Sequence, residues 1–191
     1  VRRIVAEGHE LASHGYDHTR VHNFSSAQFR EDVIRTKGIL EDISGVQVRG
    51  YRAPSYSIDA RNLWALDVLQ ETGHAYSSSI YPIAHDPYGM PEAPRFPFHL
   101  RDDSILEIPV TTVRIAGRNY PCGGGGYFRL LPYSAFRWML RRVNEKDRQP
   151  GLFYFHPWEV DPEQPRVDGA PLRSRFRHYR TLGQMQPRLE H

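Results

Sequence analysis

The chain has 191 residues, of which 39% are hydrophobic and 25% are charged, a composition typical of soluble globular domains and not of disordered or membrane-spanning chains. No apolar run approaches the roughly 20 residues that a membrane helix needs, and a net charge of +3 with scattered basic residues predicts no nucleic-acid partner. A single cysteine, Cys122, excludes a disulfide within the chain.

The first elements predicted along the chain are the end of a helix and a short buried strand. Val1, Ile4 and Val5 are spaced like the apolar face of a helix that ends at Gly8, and residues 10–14 follow as the strand. The helical pattern is already under way at the first residue. We therefore expect the chain to begin within its domain, after the first strand of that domain.

The rest of the chain alternates between helix and strand patterns. Capping residues, apolar stripes and glycine stops define the helices, whereas short apolar runs define the strands. In chain order, the predicted elements are a helix from Ser25 or Ser26 to Ile43, a strand over 46–51, a helix capped by Asp59 and ended by Gly73, strands over 75–78 and 105–112, a helix from Pro132 to Asn144, and a strand over 152–155.

Three further segments lie outside these patterns. Residues 80–98 are rich in proline, which indicates a long loop with a functional role or a substrate wall. The four glycines at 123–126 predict a flexible loop, and the absence of a following Gly-Lys-Ser/Thr excludes a phosphate loop. The tail from residue 162 is rich in proline and arginine and is expected to wrap the surface.

Strands that alternate with helices predict an α/β fold with a parallel sheet. His14, Arg52 and His156 each fall at or just after the end of a predicted strand, where α/β barrels place their chemistry. We predict a main domain over residues 1–161 and a C-terminal extension over 162–188. Residues 189–191 resemble the start of an affinity tag.

His14 and His18 are four residues apart and form a candidate metal-binding pair. Imidazole is the commonest protein ligand for zinc and suits other transition metals. A zincin motif is excluded, because the histidine after His9-Glu10 comes one residue too late. The spacing alone also fits ordinary loop histidines.

Several motifs in order resemble those of the polysaccharide deacetylases of carbohydrate esterase family four, the NodB-homology family. They are Ser13-His14-Gly15-Tyr16-Asp17-His18, Arg52-Ala53-Pro54-Ser55-Tyr56-Ser57 and Phe155-His156-Pro157-Trp158-Glu159. The branch associated with bacterial exopolysaccharide clusters is the most similar. It shares the Gly-Gly-Gly-Gly-Tyr-Phe-Arg run at 123–129 and Phe176-Arg177-His178-Tyr179.

The resemblance implies a distorted (β/α) barrel that hydrolyses acetyl groups, in particular N-acetyl groups, from sugars of a bacterial exopolysaccharide. It implies a divalent metal, with zinc expected, and a cytoplasmic location. The implied residue roles are metal ligation by His14 and His18, general-acid catalysis by His156, orientation of the catalytic base by Arg52, an oxyanion contact from the Ser55 backbone N–H, and substrate binding by Tyr56 and Trp158.

Each role has a structural alternative. Arg52 also fits a structural ion pair, and His156 and Trp158 also fit plain core positions. The competing classes for the whole chain are a non-catalytic carbohydrate-binding protein on the same fold and an unrelated metal-binding domain.

The chain departs from the family pattern in two places. The first family motif, which supplies the third metal ligand and the catalytic base, has no equivalent in this sequence. The fourth motif, Tyr-Asp-Ser-Ser in related proteins, is here Tyr76-Ser77-Ser78-Ser79, so its carboxylate is missing. We therefore expect weak metal binding and no deacetylase activity from this chain alone. An open sheet edge beside residues 10–14 would favour a homodimer.

Overall fold

The computed structural model describes residues 1–85, 88–101 and 104–191. By its internal contacts the chain divides into two units, Val1–Pro109 and Val110–His191. The predicted division at residues 161 and 188 stays a prediction. Within the described ranges, no helix is both long and apolar enough to cross a bilayer.

The first unit is built on a mostly parallel sheet. Its strands are β1 (Ala12–Ser13), β2 (Gly50–Tyr51), β3 (Tyr76–Ser77), β4 (Phe98–His99) and β5 (Leu106–Glu107). They lie in the order β1-β2-β3-β5-β4, with all neighbours parallel except β4 and β5. This confirms the predicted α/β class and its parallel sheet. Strand β1 lies at the edge of the described sheet, and dimerisation there stays a prediction.

The helices of the first unit are α1 (Arg2–Ala6), α2 (Ser26–Ser44) and α3 (Trp64–Glu71). Helix α2 begins as predicted, because Ser25 forms a capping box with Gln28. It ends at Gly45, whose φ of 71° suits a residue without a β-carbon. Apolar side chains of α2 and α3 form a buried core with the sheet, including Phe29, Val33, Tyr51, Leu66 and Leu69.

The register of the sheet brings the candidate motifs to one edge. Ser13, Tyr51, Ser77 and Glu107 are in register on four parallel strands, and each is the last residue of its strand. The residues that follow these strand ends, which include His14 and Arg52, therefore leave the sheet at its carboxyl edge. In α/β folds this edge carries binding and catalytic groups.

The second unit combines a hairpin with short helices. The hairpin pairs β6 (Thr112–Ile115) with β7 (Arg118–Pro121). The helices are α4 (Gly125–Leu130), α5 (Tyr133–Arg141), α6 (Leu172–Tyr179) and α7 (Met185–Leu189), and α5 continues into a π-helical segment, Arg142–Lys146. The predicted helix from Pro132 to Asn144 is thus confirmed in position.

Several predicted elements are wrong in extent or type. The single strand predicted over 105–112 is broken at Pro109, which cannot donate to a strand ladder. Residues after it form the hairpin instead, turning at Ala116 and Gly117 with positive φ. Asp59 does not cap α3: the helix begins at Trp64, and the Asp59 carboxylate accepts from the Arg61 backbone and side chain.

The glycine run also differs from expectation. Gly125 and Gly126 begin α4, with Gly124 at its N-cap. Residues 152–155 contribute a single parallel bridge, from Tyr154 to Gly124, and not a strand. The tail contains α6 and α7. The predicted loop 80–98 is irregular over its described residues up to Phe98, and residues 86 and 87 lie outside the described ranges.

Candidate functional site

His14 and His18 lie in the loop after β1, close enough for their rings to touch. Their ring centroids are 5.0 Å apart, with the ring planes at 75°. The Nδ1 atom of His14 is 2.7 Å from the Arg52 carbonyl oxygen. A carbonyl only accepts, so this nitrogen carries the proton and Nε2 has the lone pair that a metal would bind. Such a bond to a backbone carbonyl is how metal-binding histidines are commonly oriented.

Helix α2 fixes the shape of this loop. Gly15 and His18 have φ values of 77° and 55°, so the chain turns sharply at both. The Tyr16 backbone N–H lies 3.3 Å from both carboxylate oxygens of Asp32, and the Arg35 guanidinium stacks 3.7 Å from the Tyr16 ring. Burial raises the pKa of Asp32, although the Tyr16 N–H opposes the shift. Sequence reasoning missed Asp32, which shares its helix with the buried Phe29 and Val33.

The two imidazoles fit a pair of metal ligands and do not complete a ligand set. Within residues 1–85, 88–101 and 104–191, no group of three His, Cys, Asp or Glu side chains is placed to hold a metal ion. Catalytic zinc sites use three protein ligands and a water. The donor set of the described residues therefore matches two positions of such a site.

Arg52 connects the second motif to the end of β3. Its Nε donates to the Ser78 carbonyl at 3.2 Å, and its Nη2 donates to the Ser78 hydroxyl at 3.1 Å. The next residue, Ala53, donates its backbone N–H to the Ser79 hydroxyl at 2.9 Å. Ser78 and Ser79, which belong to the segment that replaces the fourth family motif, therefore fix Arg52 and the backbone of the next residue.

The backbone after Pro54 is strained at two successive residues. Ser55 has φ 56° and ψ 26°, and Tyr56 has φ 51°. Left-handed conformations cost free energy for residues with a β-carbon, and they are concentrated at functional sites. The Tyr56 ring is buried and lies 5.8 Å from the Arg52 guanidinium.

Glu107 is a fully buried carboxylate at the same edge of the sheet. Its Oε1 accepts the backbone N–H groups of Ser79 and Ile80, both at 2.8 Å. The Ser77 hydroxyl donates to Ser79, and Glu107 Oε2 has no hydrogen-bond partner among the described residues. Burial raises the pKa of Glu107, against the opposing effects of the Ser77 hydroxyl, the Ile80 and Ser79 N–H groups and the Arg52 guanidinium. Sequence reasoning missed this residue, although a glutamate inside an apolar run was a visible signal.

His156 and Trp158 belong to the second unit. The His156 side chain is 55% exposed, so this ring is not a core histidine. Trp158 is half-buried between two imidazoles, with the His156 ring centroid at 5.6 Å and the His178 centroid at 4.1 Å, both nearly parallel to it. The exposed His156 ring therefore stacks on the Trp158 indole, which in turn stacks on the His178 ring.

A buried ion pair lies beneath this stack. The Arg129 and Glu159 side chains are each 2% exposed, and Nη2 of the arginine is 3.1 Å from Oε1 of the glutamate. The other carboxylate oxygen, Oε2, accepts the His156 backbone N–H at 2.9 Å and lies 3.6 Å from His156 Nδ1. Neither Arg129 nor Glu159 was assigned a role by sequence reasoning, although each lies in a quoted motif.

The structure therefore brings His14, His18 and Arg52 together in the first unit, with Ser55 and Tyr56 three and four residues after Arg52 in the sequence. His156 and Trp158 adjoin each other in the second unit. The roles predicted for all seven residues stay predictions.

Comparison with known protein families gives two adjacent matches. Residues 1–76 match the family described as "Polysaccharide deacetylase", and residues 78–191 match the family described as "Domain of unknown function (DUF3473)". The first match contains the motifs at 13–18 and 52–57, and the second contains those at 123–129, 155–159 and 176–179. No curated protein matches the chain.

Three solved structures share the fold. Two are assigned as polysaccharide deacetylases, from Mycobacterium smegmatis (21% identity, TM-score 0.58, 99% of this chain and 65% of that one) and Pseudomonas aeruginosa (19%, 0.53, 100% and 56%). The third is the PuuE allantoinase (19%, 0.54, 100% and 56%). The chain spans between 56% and 65% of the length of these structures. At such identities the likeness shows the fold alone, which is the α/β barrel type expected from the motifs.

Proposed function

The chain belongs to the polysaccharide deacetylase family, and from this membership we propose that the protein hydrolyses N-acetyl groups on the sugars of a bacterial exopolysaccharide. The single observation that carries the proposal is the contact between two motifs of the matched family region. His14 Nδ1 bonds to the Arg52 carbonyl, and His18 lies against the His14 ring. This arrangement supports the proposal that the two imidazoles are neighbouring ligands of one metal ion.

His14 and His18 would hold a divalent metal, for which zinc suits imidazole ligands best. Such a metal would polarise the acetyl carbonyl and activate a water molecule. The role of this chain's residues is to orient the ligands: the Arg52 carbonyl fixes the His14 ring, and Asp32 fixes the loop backbone at Tyr16.

Arg52, Ser55 and Tyr56 would bind and orient the reacting groups. The Ser78 carbonyl and hydroxyl accept from the Arg52 guanidinium, which would orient a carboxylate base. Ser55 has a left-handed backbone, and its N–H would contact the oxygen that becomes negative in the transition state. The Tyr56 ring would form part of the substrate wall.

His156 would donate a proton to the leaving nitrogen as the C–N bond breaks. The ring is exposed, and imidazole is the side chain that most often serves as a general acid or base. Trp158, stacked against the His156 ring, would line the substrate site with the exposed part of its indole.

Acetate release by the full-length protein tests the proposal. With zinc added, wild type is expected to release acetate from N-acetylglucosamine oligomers faster than from O-acetylated oligosaccharides. His156→Ala should lower turnover by about 10²- to 10⁴-fold and retain the metal in elemental analysis, whereas the exposed Glu163→Ala should match wild type. Oligosaccharide binding without acetate release by wild type would favour a non-catalytic carbohydrate-binding protein instead.

A further inference from the structure

Three quoted motifs of the second unit meet at one buried ion pair. Arg129 ends the Gly-Gly-Gly-Gly-Tyr-Phe-Arg run, and Glu159 ends His-Pro-Trp-Glu. The Arg129 guanidinium also donates to the carbonyls of His178 and Arg180 at 3.1 and 2.7 Å, within and just after the C-terminal motif. The motifs are therefore parts of a single structure around Glu159.

The ion pair is built to hold Glu159 in one position. Arg129 contacts Glu159 Oε1 through both Nε at 3.2 Å and Nη2 at 3.1 Å, and its remaining N–H groups are used on backbone carbonyls. Gly125 supplies the space: a β-carbon there would stand 2.3 Å from Glu159 Oε2. Burying an ion pair costs desolvation free energy and often adds little stability. The pair is therefore better explained by a role in positioning neighbouring groups.

The carboxylate oxygen that Arg129 does not contact faces His156. Glu159 Oε2 accepts the His156 backbone N–H at 2.9 Å, and the same oxygen lies 3.6 Å from the ring Nδ1. The ring contact is longer than a hydrogen bond and lies within ion-pair range. The hydrogen bond from the His156 N–H fixes the backbone of the histidine, and stacking on Trp158 limits the rotation of the imidazole ring.

We propose that Glu159 is the positioning residue of His156: it holds Nδ1 toward the carboxylate, directs Nε2 outward, and stabilises the protonated ring. The proposal rests on the proposed function, in which His156 is the general acid. A proton then leaves from Nε2 to the departing nitrogen, Nδ1 keeps its hydrogen, and Glu159 remains ionised throughout.

The charges around Glu159 agree with an ionised carboxylate. Burial raises its pKa, but the contacts from the His156 ring and backbone and from Arg129 outweigh burial and hold the pKa below its usual range. The facing groups are Arg129 on α4, His156 on its own segment, and Trp158, with His178 on α6 stacked behind the indole. A fixed negative charge beside Nδ1 stabilises a hydrogen on that nitrogen. It therefore favours the Nδ1–H tautomer of the neutral ring, and it also attracts the protonated ring.

The test compares Glu159→Gln with the matched control Glu163→Gln, an exposed glutamate four residues along the same segment. Nitrogen-15 NMR of the His156 ring in the full-length protein, at a pH where the ring is neutral, is expected to show the Nδ1–H tautomer in wild type and control. Glu159→Gln is expected to shift the ring toward Nε2–H. This readout does not depend on activity.

Kinetics supply the second readout. In Glu159→Gln we expect kcat to fall by about tenfold or more with little change in KM. We also expect the alkaline limb of the kcat profile to move to lower pH, because the imidazolium loses its carboxylate partner. A merely structural role would lower the fraction of active enzyme without moving this limb.

The outcomes separate the two proposals. An unchanged tautomer and an unchanged pH profile in Glu159→Gln would overturn the positioning role. If Glu159→Gln fails to fold, an Nε2–H tautomer in wild type would overturn it as well. If wild type releases no acetate from any substrate, the proposed function fails, and the tautomer comparison still decides whether Glu159 orients His156.

Discussion

Gly125 lies so close to Glu159 that a β-carbon at position 125 would stand 2.3 Å from the buried carboxylate. Its neighbours in the glycine run are similarly crowded, since a β-carbon at Gly123 or Gly124 would stand 2.6 Å from the Leu152 carbonyl oxygen or 2.9 Å from the Tyr154 ring. Gly126 has open space at the same position. The run is therefore glycine at 123–125 because the 152–159 segment packs directly on it.

We predict that Gly125→Ala destabilises the protein and Gly126→Ala does not. The alanine methyl group at 125 must displace the carboxylate that Arg129 and the His156 N–H hold, and overpacking of this kind costs about 1–3 kcal/mol. In α4, alanine at 126 is favoured over glycine by up to about 1 kcal/mol. Urea unfolding of the two variants measures the difference, and equal midpoints for both would contradict the close packing.

Glu107 predicts a stability that depends on pH. Because burial raises its pKa in the folded state, the unfolded chain loses its proton first as the pH rises above roughly 4.3. The contribution of Glu107 to stability is therefore complete below that pH and is lost as the pH rises toward the folded-state pKa. Glu107→Gln mimics the protonated form and keeps an acceptor for the Ser79 and Ile80 N–H groups.

We expect the free energy of unfolding of Glu107→Gln to gain on wild type between pH 4 and pH 7, as measured by denaturant unfolding at several pH values. Glu107→Ala is the contrasting variant: it leaves two buried N–H groups without an acceptor and should destabilise by about 1–3 kcal/mol per group. A difference between Glu107→Gln and wild type that does not change with pH would show that the pKa of Glu107 is not raised in the folded protein.

The sequence could predict the elements that depend on local chemistry. The ends of α2 are set by local residues, because capping acts within a turn of the helix. Ser25 and Gln28 define its start, and Gly45 defines its end. The alternation of strands and helices likewise sufficed for a parallel sheet, and the ends of β1 and β2 placed His14 and Arg52 at its carboxyl edge.

What the sequence could not supply depends on contacts between distant residues. Four glycines predict flexibility when taken alone, and their actual constraint comes from residues about 30 positions later. The segment 152–155 is apolar, which is why its sequence resembles a buried strand. Its apolar residues pack on α4 and α5 and not in a sheet, as Phe153 does on Phe128 and Phe136. Asp32 was missed because its partner, the Tyr16 N–H, is a backbone group.

Asp32 leads to a prediction about metal affinity. Its carboxylate accepts the Tyr16 N–H between the two histidines, so Asp32→Ala should loosen the loop and weaken zinc binding by about 10- to 100-fold. The neighbouring exposed Glu31→Ala should bind zinc as wild type does. Isothermal titration of the full-length variants with zinc is the measurement, and equal affinities for Asp32→Ala and Glu31→Ala would remove Asp32 from the site.

The central claim is that His14 and His18 are neighbouring ligands of a catalytic metal that His156 does not bind. The most direct measurement is a crystal structure of the full-length protein grown with zinc, with the metal located by anomalous scattering. The account predicts an anomalous peak about 2.0–2.1 Å from one ring nitrogen of each histidine, with His14 Nδ1 still bonded to the Arg52 carbonyl. A zinc ion bound elsewhere while both rings are without metal, or one ligated by His156, would contradict it.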